Sequence, residues 1–251
     1  MGFALDGVVP WGRSFDEYRA MFGLTESDLQ GRLLGCGDGP AGFNAELTRR
    51  GGRVTSVDPL YACRASEIRG RIQATYETVM AQVRANRDAY VWDVIGSVEE
   101  LGRVRMAAMA AFLDDFEAGK LSGRYIAGEL PVLPFADGEF DLALSSHFLF
   151  LYSRQLTEEF HLRALLEMLR VAQEVRVFPL LALDGSPSLH VGRVCERLVA
   201  LGFRASVVGV PYEFQQGGDR MLVARRSDAA RSIGHQSAAP HHQRRHSEKP
   251  T

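Results

Sequence analysis

A glycine-rich turn followed by an acid carries the clearest chemistry in this sequence. Residues 37–42 read Gly-Asp-Gly-Pro-Ala-Gly, and Asp58 follows Gly37 at the spacing of roughly 20 residues that is typical of nucleotide-binding units. Gly37 and Gly39 let the backbone turn sharply and bring its N–H groups against a ligand. Because a carboxylate at this position can accept hydrogen bonds from both hydroxyls of a ribose, the pattern predicts a ribose-bearing cofactor.

His147 is the candidate for acid–base chemistry. It directly follows residues 140–146, which read as a strand in the middle of a sheet, and open α/β sheets bind their ligands at the carboxyl ends of such strands. An unperturbed imidazole has a pKa of about 6.5, which suits proton uptake near neutrality. Two roles stay open: His147 acts as a general base, or it hydrogen-bonds the cofactor or caps the next helix.

A β-α-β unit is needed to position the turn and the acid. Residues 32–36 read as a buried strand, the helix after the turn carries Phe43 and Leu47 on one side, and residues 53–57 read as a second strand that ends on Asp58. Before this unit, Ser14 and Glu17 form a capping box that opens a short helix. Three side chains of this region either touch a ligand or pack the helix on the sheet: Trp11, Arg13 and Tyr18.

The later part of the chain predicts further strands and an insertion. Residues 124–129, 140–147, 175–183, 204–210 and 220–225 read as strands, and the last two form a hairpin around Gly217 and Gly218. Residues 62–121 contain two amphipathic helical series, one of them through Leu101, Val104, Ala108, Phe112 and Phe116. Since a crossover needs only one helix, we expect a helical cap beside the ligand site. The alternative is an elaborated crossover that only packs.

The segment 128–151 reads GELPVLPFADGEFDLALSSHFLFL. Together with the turn and with Val57-Asp58-Pro59, it resembles the class I S-adenosylmethionine (SAM)-dependent methyltransferases, and the resemblance covers roughly residues 30–226. It implies an α/β, Rossmann-like, seven-stranded, mostly parallel sheet with a terminal antiparallel hairpin and helices on both faces. It also implies SAM as the cofactor, bound by the turn and the strand ends at Gly35, Cys36, Gly37, Gly39, Asp58, Pro59, Glu129, Leu130, Ser145 and Ser146.

One position departs from that family. Its members usually carry an acid at the end of the first strand, where this sequence has Gly35. In the family this acid helps to fix the turn or the amino group of the methionine part, so its loss predicts a weakened cofactor site. The leading interpretation is methyl transfer from SAM to a small molecule, with His147 as the catalytic candidate.

Two alternatives stay open. The literal G-x-G-x-x-G pattern supports a nicotinamide-dependent oxidoreductase, although the segment 128–151 and the terminal hairpin oppose it. Gly35 motivates a degenerate, non-catalytic protein that only binds the cofactor.

The composition of the chain indicates its domain organisation, its partners and its location. The 251 residues are 46% hydrophobic with a net charge of −2, which predicts one α/β domain over residues 1–226 and a disordered tail over residues 227–251. The acidic body disfavours nucleic acid as a partner. The absence of a long apolar run or a signal peptide predicts a cytoplasmic protein without membrane contact. The cysteine spacing suggests neither a disulfide framework nor a metal site, and the oligomeric state stays open.

Overall fold

The chain forms a seven-stranded sheet in a computed structural model that describes residues 10–227. The strands are β1 (Arg32–Cys36), β2 (Arg53–Val57), β3 (Tyr125–Ile126), β4 (Phe140–Ser146), β5 (Ala172–Phe178), β6 (Phe203–Gly209) and β7 (Arg220–Arg226). Their order is β3-β2-β1-β4-β5-β7-β6. Among these seven strands, β7 alone runs antiparallel to all the others. This confirms the predicted fold class. The antiparallel β7 between β5 and β6 separates it from the dinucleotide-binding sheet of order 3-2-1-4-5-6.

Helices cover both faces of the sheet. They are α1 (Phe15–Met21), α2 (Glu26–Gln30), α3 (Phe43–Arg49), α4 (Ala65–Ala85), α5 (Val98–Leu121), α6 (Glu158–Val171) and α7 (Val191–Ala200). On one face, α6 and α7 share a core with Leu34 and Val175, and on the other α1, α2 and α3 pack with Leu33 and Leu144. Leu33 and Leu34 serve opposite faces because successive side chains of a strand alternate. The carboxyl ends of β1, β2 and β4 are thereby held at one edge.

The first helix begins as the sequence predicts, and the second begins in the same way. Ser14 and Glu17 form a complete capping box at α1, and Thr25 and Asp28 form another at α2. Each box satisfies backbone N–H groups that the first turn of a helix leaves unpaired. The same Glu17 carboxylate also faces the interior of the protein, where it meets Arg105 and Tyr212.

The third strand is shorter than predicted. Only Tyr125–Ile126 pairs with β2, and Glu129 instead forms an isolated bridge with Val132. Pro131 lies within this bridge, and because it has no N–H to offer to a ladder, the chain does not continue as a strand beyond it. The fifth strand also ends early, at Phe178, because Pro179 follows it.

The predicted insertion is helical. Helices α4 and α5 pack on each other through Val79, Met80, Val83 and Leu101, and α5 also packs on α3. A three-residue turn of 3-10 helix, Arg87–Ala89, lies between them. The predicted disordered tail lies, apart from Ser227, outside the described residues. Within residues 10–227, no helix has the length and apolar character that crossing a bilayer requires.

Candidate active site

Two cavities adjoin each other at the carboxyl ends of the central strands. The turn cavity, about 470 Å³ in volume, is lined by the glycine-rich turn, Asp58 and the end of β4. The aromatic cavity, about 100 Å³, lies between α4, α5 and the loops after β4 and β6. Trp11 and His147 line both cavities. The arrangement therefore offers a large and a small compartment with a shared wall.

Most of the predicted site residues meet in the turn cavity. Its lining includes Gly37, Gly39, Asp58, Pro59, Glu129, Leu130, Ser146 and His147. Three predicted residues do not line it. Cys36 is fully buried in the sheet core, Ser145 is fully buried and its hydroxyl has no hydrogen-bond partner among residues 10–227, and Gly35 lies beneath the turn against Asp38. For these three, a direct cofactor contact is not what the structure shows.

The two glycines of the turn adopt backbone conformations that side chains disfavour. Gly37 has φ of 68° and Gly39 has φ of 53°, both in the left-handed region. Their N–H groups, however, are already used. Gly37 donates to the carbonyl of Val57 at 2.9 Å, and Gly39 donates to Asp58 Oδ2 at 2.9 Å. The expectation that these two N–H groups face a ligand is wrong, because they close the turn onto β2.

Asp58 both fixes the turn and faces the cavity. Its Oδ2 accepts from Gly39, and its Oδ1 accepts from the N–H of Leu60 at 2.8 Å. Burial raises the pKa of Asp58, and the two backbone N–H groups partly offset that rise. A carboxylate has about four acceptor positions, so each oxygen keeps one for an incoming hydroxyl. Its predicted ribose-binding role thus fits the geometry.

Asp38 supplies a carboxylate in the space beside Gly35. A Cβ on residue 35 would lie 1.7 Å from Asp38 Oδ2, so the side chain of residue 38 fills the place that a side chain of residue 35 would need. Tyr18 donates to Asp38 Oδ1 at 2.9 Å, and Ser56 donates to Oδ2 at 2.7 Å. The end of β1 therefore has an acid after all, contributed by the turn. The signal that sequence reasoning missed was a charged residue between the two glycines.

The environment of Asp38 raises the pKa of its carboxyl group. Burial raises its pKa to about 6, against the opposing hydrogen bonds from Ser56 and Tyr18, and the charge of Asp58 raises it further. Because the folded pKa lies above the unfolded value near 4, the protonated carboxyl stabilises the fold below that value. This contribution is lost as the pH rises through about 6.

We expect Asp38→Asn to remove that pH dependence. The free energy of unfolding of the wild type relative to the variant should fall by about 2 kcal/mol between pH ~4 and ~7. Urea unfolding of both proteins across this pH range measures the difference in their free energies of unfolding. The contributions of the other titrating groups are common to both proteins and cancel in this difference. The exposed Asp137→Asn serves as the control and should leave the profile of the wild type unchanged. A stability difference between the two proteins that does not change with pH would contradict a raised pKa for Asp38.

His147 lies in a constrained position between the two cavities. Its φ is 54°, its N–H donates to the carbonyl of Phe178 at 2.7 Å, and its Nδ1 lies 2.9 Å from Ser146 Oγ. A left-handed non-glycine residue is uncommon and often marks a functional site. Burial, and then the charges of Arg13 and Arg105, lower its pKa well below the ordinary value. The imidazole is therefore neutral at pH 7 and a weaker base than the sequence suggested.

A buried ionic cluster borders the aromatic cavity. Arg105, only 1% exposed, forms an ion pair with Glu17, and Tyr212 donates to Glu17 Oε1 at 2.8 Å. Burial opposes ionisation of Glu17, but the charge and hydrogen bond of Arg105 outweigh it and lower the pKa of Glu17 to about 2. Sequence reasoning recognised Glu17 only as a capping residue. Trp11 and Arg13 line the aromatic cavity, whereas Tyr18 contributes through Asp38.

The chain has a relative of similar length in an archaeon. It is 30% identical over 223 residues to the uncharacterized protein MJ0045 of Methanocaldococcus jannaschii, and the match spans 88% of this chain and 98% of MJ0045. No protein-family model matches the chain.

Several solved structures are similar to this one. TnmH matches with a TM-score of 0.44 and 15% identity over 84% of this chain, which spans 55% of TnmH. A SAM-dependent methyltransferase from Aquifex aeolicus matches with a TM-score of 0.41 and 18% identity over 84% of this chain and 89% of its own. The magnesium protoporphyrin IX methyltransferase ChlM from Synechocystis PCC 6803, solved with bound S-adenosylhomocysteine (SAH), matches with a TM-score of 0.42 and 13% identity over 80% and 77%.

Proposed function

We propose that this protein, which belongs to the family of the archaeal protein MJ0045, transfers a methyl group from SAM to a small-molecule acceptor. The observation that carries the proposal is the pair of cavities that share Trp11 and His147. One compartment has the size and polar groups for a nucleoside cofactor. The other is small, aromatic and adjacent, as a methyl acceptor requires.

The turn cavity fits SAM in volume and in chemistry. Its volume of about 470 Å³ lies within the range of about 300–1,000 Å³ for ligand sites. Asp58 keeps acceptor positions for ribose hydroxyls, and the space beside Gly39 is open, since a Cβ there would meet nothing within 4 Å. The carboxylates of Asp38 and Asp58 also suit a cofactor with a sulfonium and an ammonium group. Glu129 and Leu130 line the same cavity beyond the end of β3.

When bound, SAM supplies an electrophilic methyl group: the acceptor atom bonds to the methyl carbon, and the carbon–sulfur bond breaks with its electron pair left on sulfur. The chain contributes position. Holding two reactants in line can supply about 7–11 kcal/mol of a barrier. His147, which lines both cavities, is the proposed base: its neutral imidazole would accept a hydrogen bond from the acceptor and take up the proton that the acceptor atom loses. Trp11 also lines both cavities.

The structure gives the two alternatives less support than the sequence did. A dinucleotide is held largely by N–H groups of the glycine-rich turn, and those of Gly37 and Gly39 are occupied by Val57 and Asp58. The degenerate alternative depended on a missing acid, and Asp38 places a carboxylate beside Gly35. We therefore retain methyl transfer as the proposal.

Thermal denaturation with a panel of ligands tests the proposal. SAM and SAH should each stabilise the fold, by about 2.7 kcal/mol at a concentration one hundred times the dissociation constant, whereas NAD and NADP should not. Asp58→Ala should weaken SAH binding by about 1.5–3 kcal/mol in calorimetry, since it removes hydrogen bonds to a charged group. Asp137→Asn, outside the turn cavity, is the matched control. Stabilisation by NAD instead of SAH would refute methyl transfer.

A further inference from the structure

The aromatic cavity has the walls of a site for one flat ring. Aromatic side chains from separate segments line it: Trp11, Tyr90, Phe178, Tyr212 and Phe214. Tyr90 and Phe214 stack with centroids 4.8 Å apart, which ties the insertion to the loop before β7. The volume of about 100 Å³ is of the order of the ~150 Å³ cavity that holds one benzene molecule in an engineered protein. The part of an acceptor that enters is thus limited to about one ring.

The charges around this cavity do not balance. Arg13 and Arg105 both line it, and Glu17 is the carboxylate beside them. Glu17 already has four donors, because it accepts from the N–H and Oγ of Ser14, from Arg105 and from Tyr212, and its one negative charge is paired with Arg105. The carboxylates of Asp38 and Asp58 line the turn cavity and not the aromatic cavity. One positive charge is therefore left over.

That charge belongs to Arg13. Among the described residues it forms no ion pair, its Nη1 donates to the carbonyl of Trp11 at 2.6 Å, and its buried Nε has no hydrogen-bond partner. Burial, and then the charge of Arg105, lower its pKa to about 10, so it stays charged at neutral pH. A guanidinium offers a planar fork of N–H groups that matches a carboxylate. An anion entering the cavity would pair with this group.

We propose that the aromatic cavity binds a small aromatic carboxylate as the methyl acceptor, with its ring among the aromatic side chains and its carboxylate on Arg13. The identification as acceptor rests on the proposed function, whereas the anion site stands on Arg13 itself. The carboxylate that pairs with Arg13 is not the methylated group. A hydroxyl or amino substituent elsewhere on the ring must instead face the wall formed by Trp11 and His147.

Calorimetric titration with benzoate and benzamide tests the proposal. The two probes have nearly the same shape, but only benzoate carries a charge. With the protein saturated with SAH, benzoate should bind at least tenfold more tightly than benzamide. Arg13→Gln should abolish this preference, and Arg13→Lys should keep most of it because the charge remains. Arg19→Gln is the control and should behave as the wild type, because Arg19 is a partly exposed residue of α1 that pairs with Glu26.

The outcomes separate this inference from the proposed function. Equal binding of benzoate and benzamide by the wild type, an undiminished preference in Arg13→Gln, or no binding of either probe would overturn the inference while SAH binding stands. A preference for benzoate in a protein that binds no SAH would support the anion site and overturn its identification as the acceptor site. If Arg13→Gln does not fold, the comparison of the two probes on the wild type and on Arg13→Lys still decides.

Discussion

Gly35→Ala is expected to destabilise the protein by about 2–5 kcal/mol, although the change adds a single methyl group. The new Cβ would lie 1.7 Å from Oδ2 and 2.3 Å from Cγ of Asp38, so the carboxylate must leave its place. Tyr18 and Ser56, both buried, would then lose their common acceptor. Urea unfolding measures the loss. Gly209→Ala, in a strand and with open space around its Cβ, is the matched control.

Moving the acid from residue 38 to residue 35 is a second test of the same geometry. Gly35→Asp alone should lose stability and SAH binding together, because both residue 35 and Asp38 would claim one space. In the double variant Gly35→Asp/Asp38→Gly, the carboxylate moves to the strand, and we expect stability to recover in part. Wild-type stability of Gly35→Ala would show that the Asp38 carboxylate lies elsewhere.

The sequence was sufficient for the elements but not for the directions of the side chains. The β-α-β unit around residues 32–58, the capping box at Ser14 and the terminal hairpin follow from local patterns, and the structure contains all three. Spacing alone placed the acid of the first strand at residue 35. It could not show that Asp38, three residues on and inside a turn, folds back into the same space.

Buried charge was the second feature that local patterns did not resolve. The apolar series of α5 was read through Leu101, Val104 and Ala108, but the structure buries Arg105 more deeply than Val104. Arg105 lies four residues after Leu101 and therefore on the same face of the helix. An arginine at a core position was the available signal. Its partner Glu17 is about 90 residues away in sequence, so only tertiary packing reveals the pair.

Arg105→Met should reduce the free energy of unfolding by about 3–5 kcal/mol, because it leaves the buried Glu17 carboxylate without its counter-charge. The double variant Glu17→Gln/Arg105→Met should recover much of the loss, since the Glu17 carboxylate and its counter-charge are then both removed. Arg103→Met is the matched control. Arg103 lies on the exposed side of α5 and pairs with Glu100, and we expect a change within about 0.5 kcal/mol.

The pH dependence of the stability lost in Arg105→Met distinguishes the effect of an unpaired charge from the effect of lost packing. In the wild type, the pKa of Glu17 is about 2, below its unfolded value, so the pair stabilises the fold above that unfolded value and this stability is lost as the pH falls towards 2. In Arg105→Met, burial should raise the pKa of Glu17, so that protonation on acidification relieves the unpaired charge. The stability difference between the two proteins should therefore narrow as the pH is lowered from about 7 to about 4. A deficit that stays constant over this range, with no recovery in the double variant, would show that Arg105 acts through packing and not through the charge of Glu17.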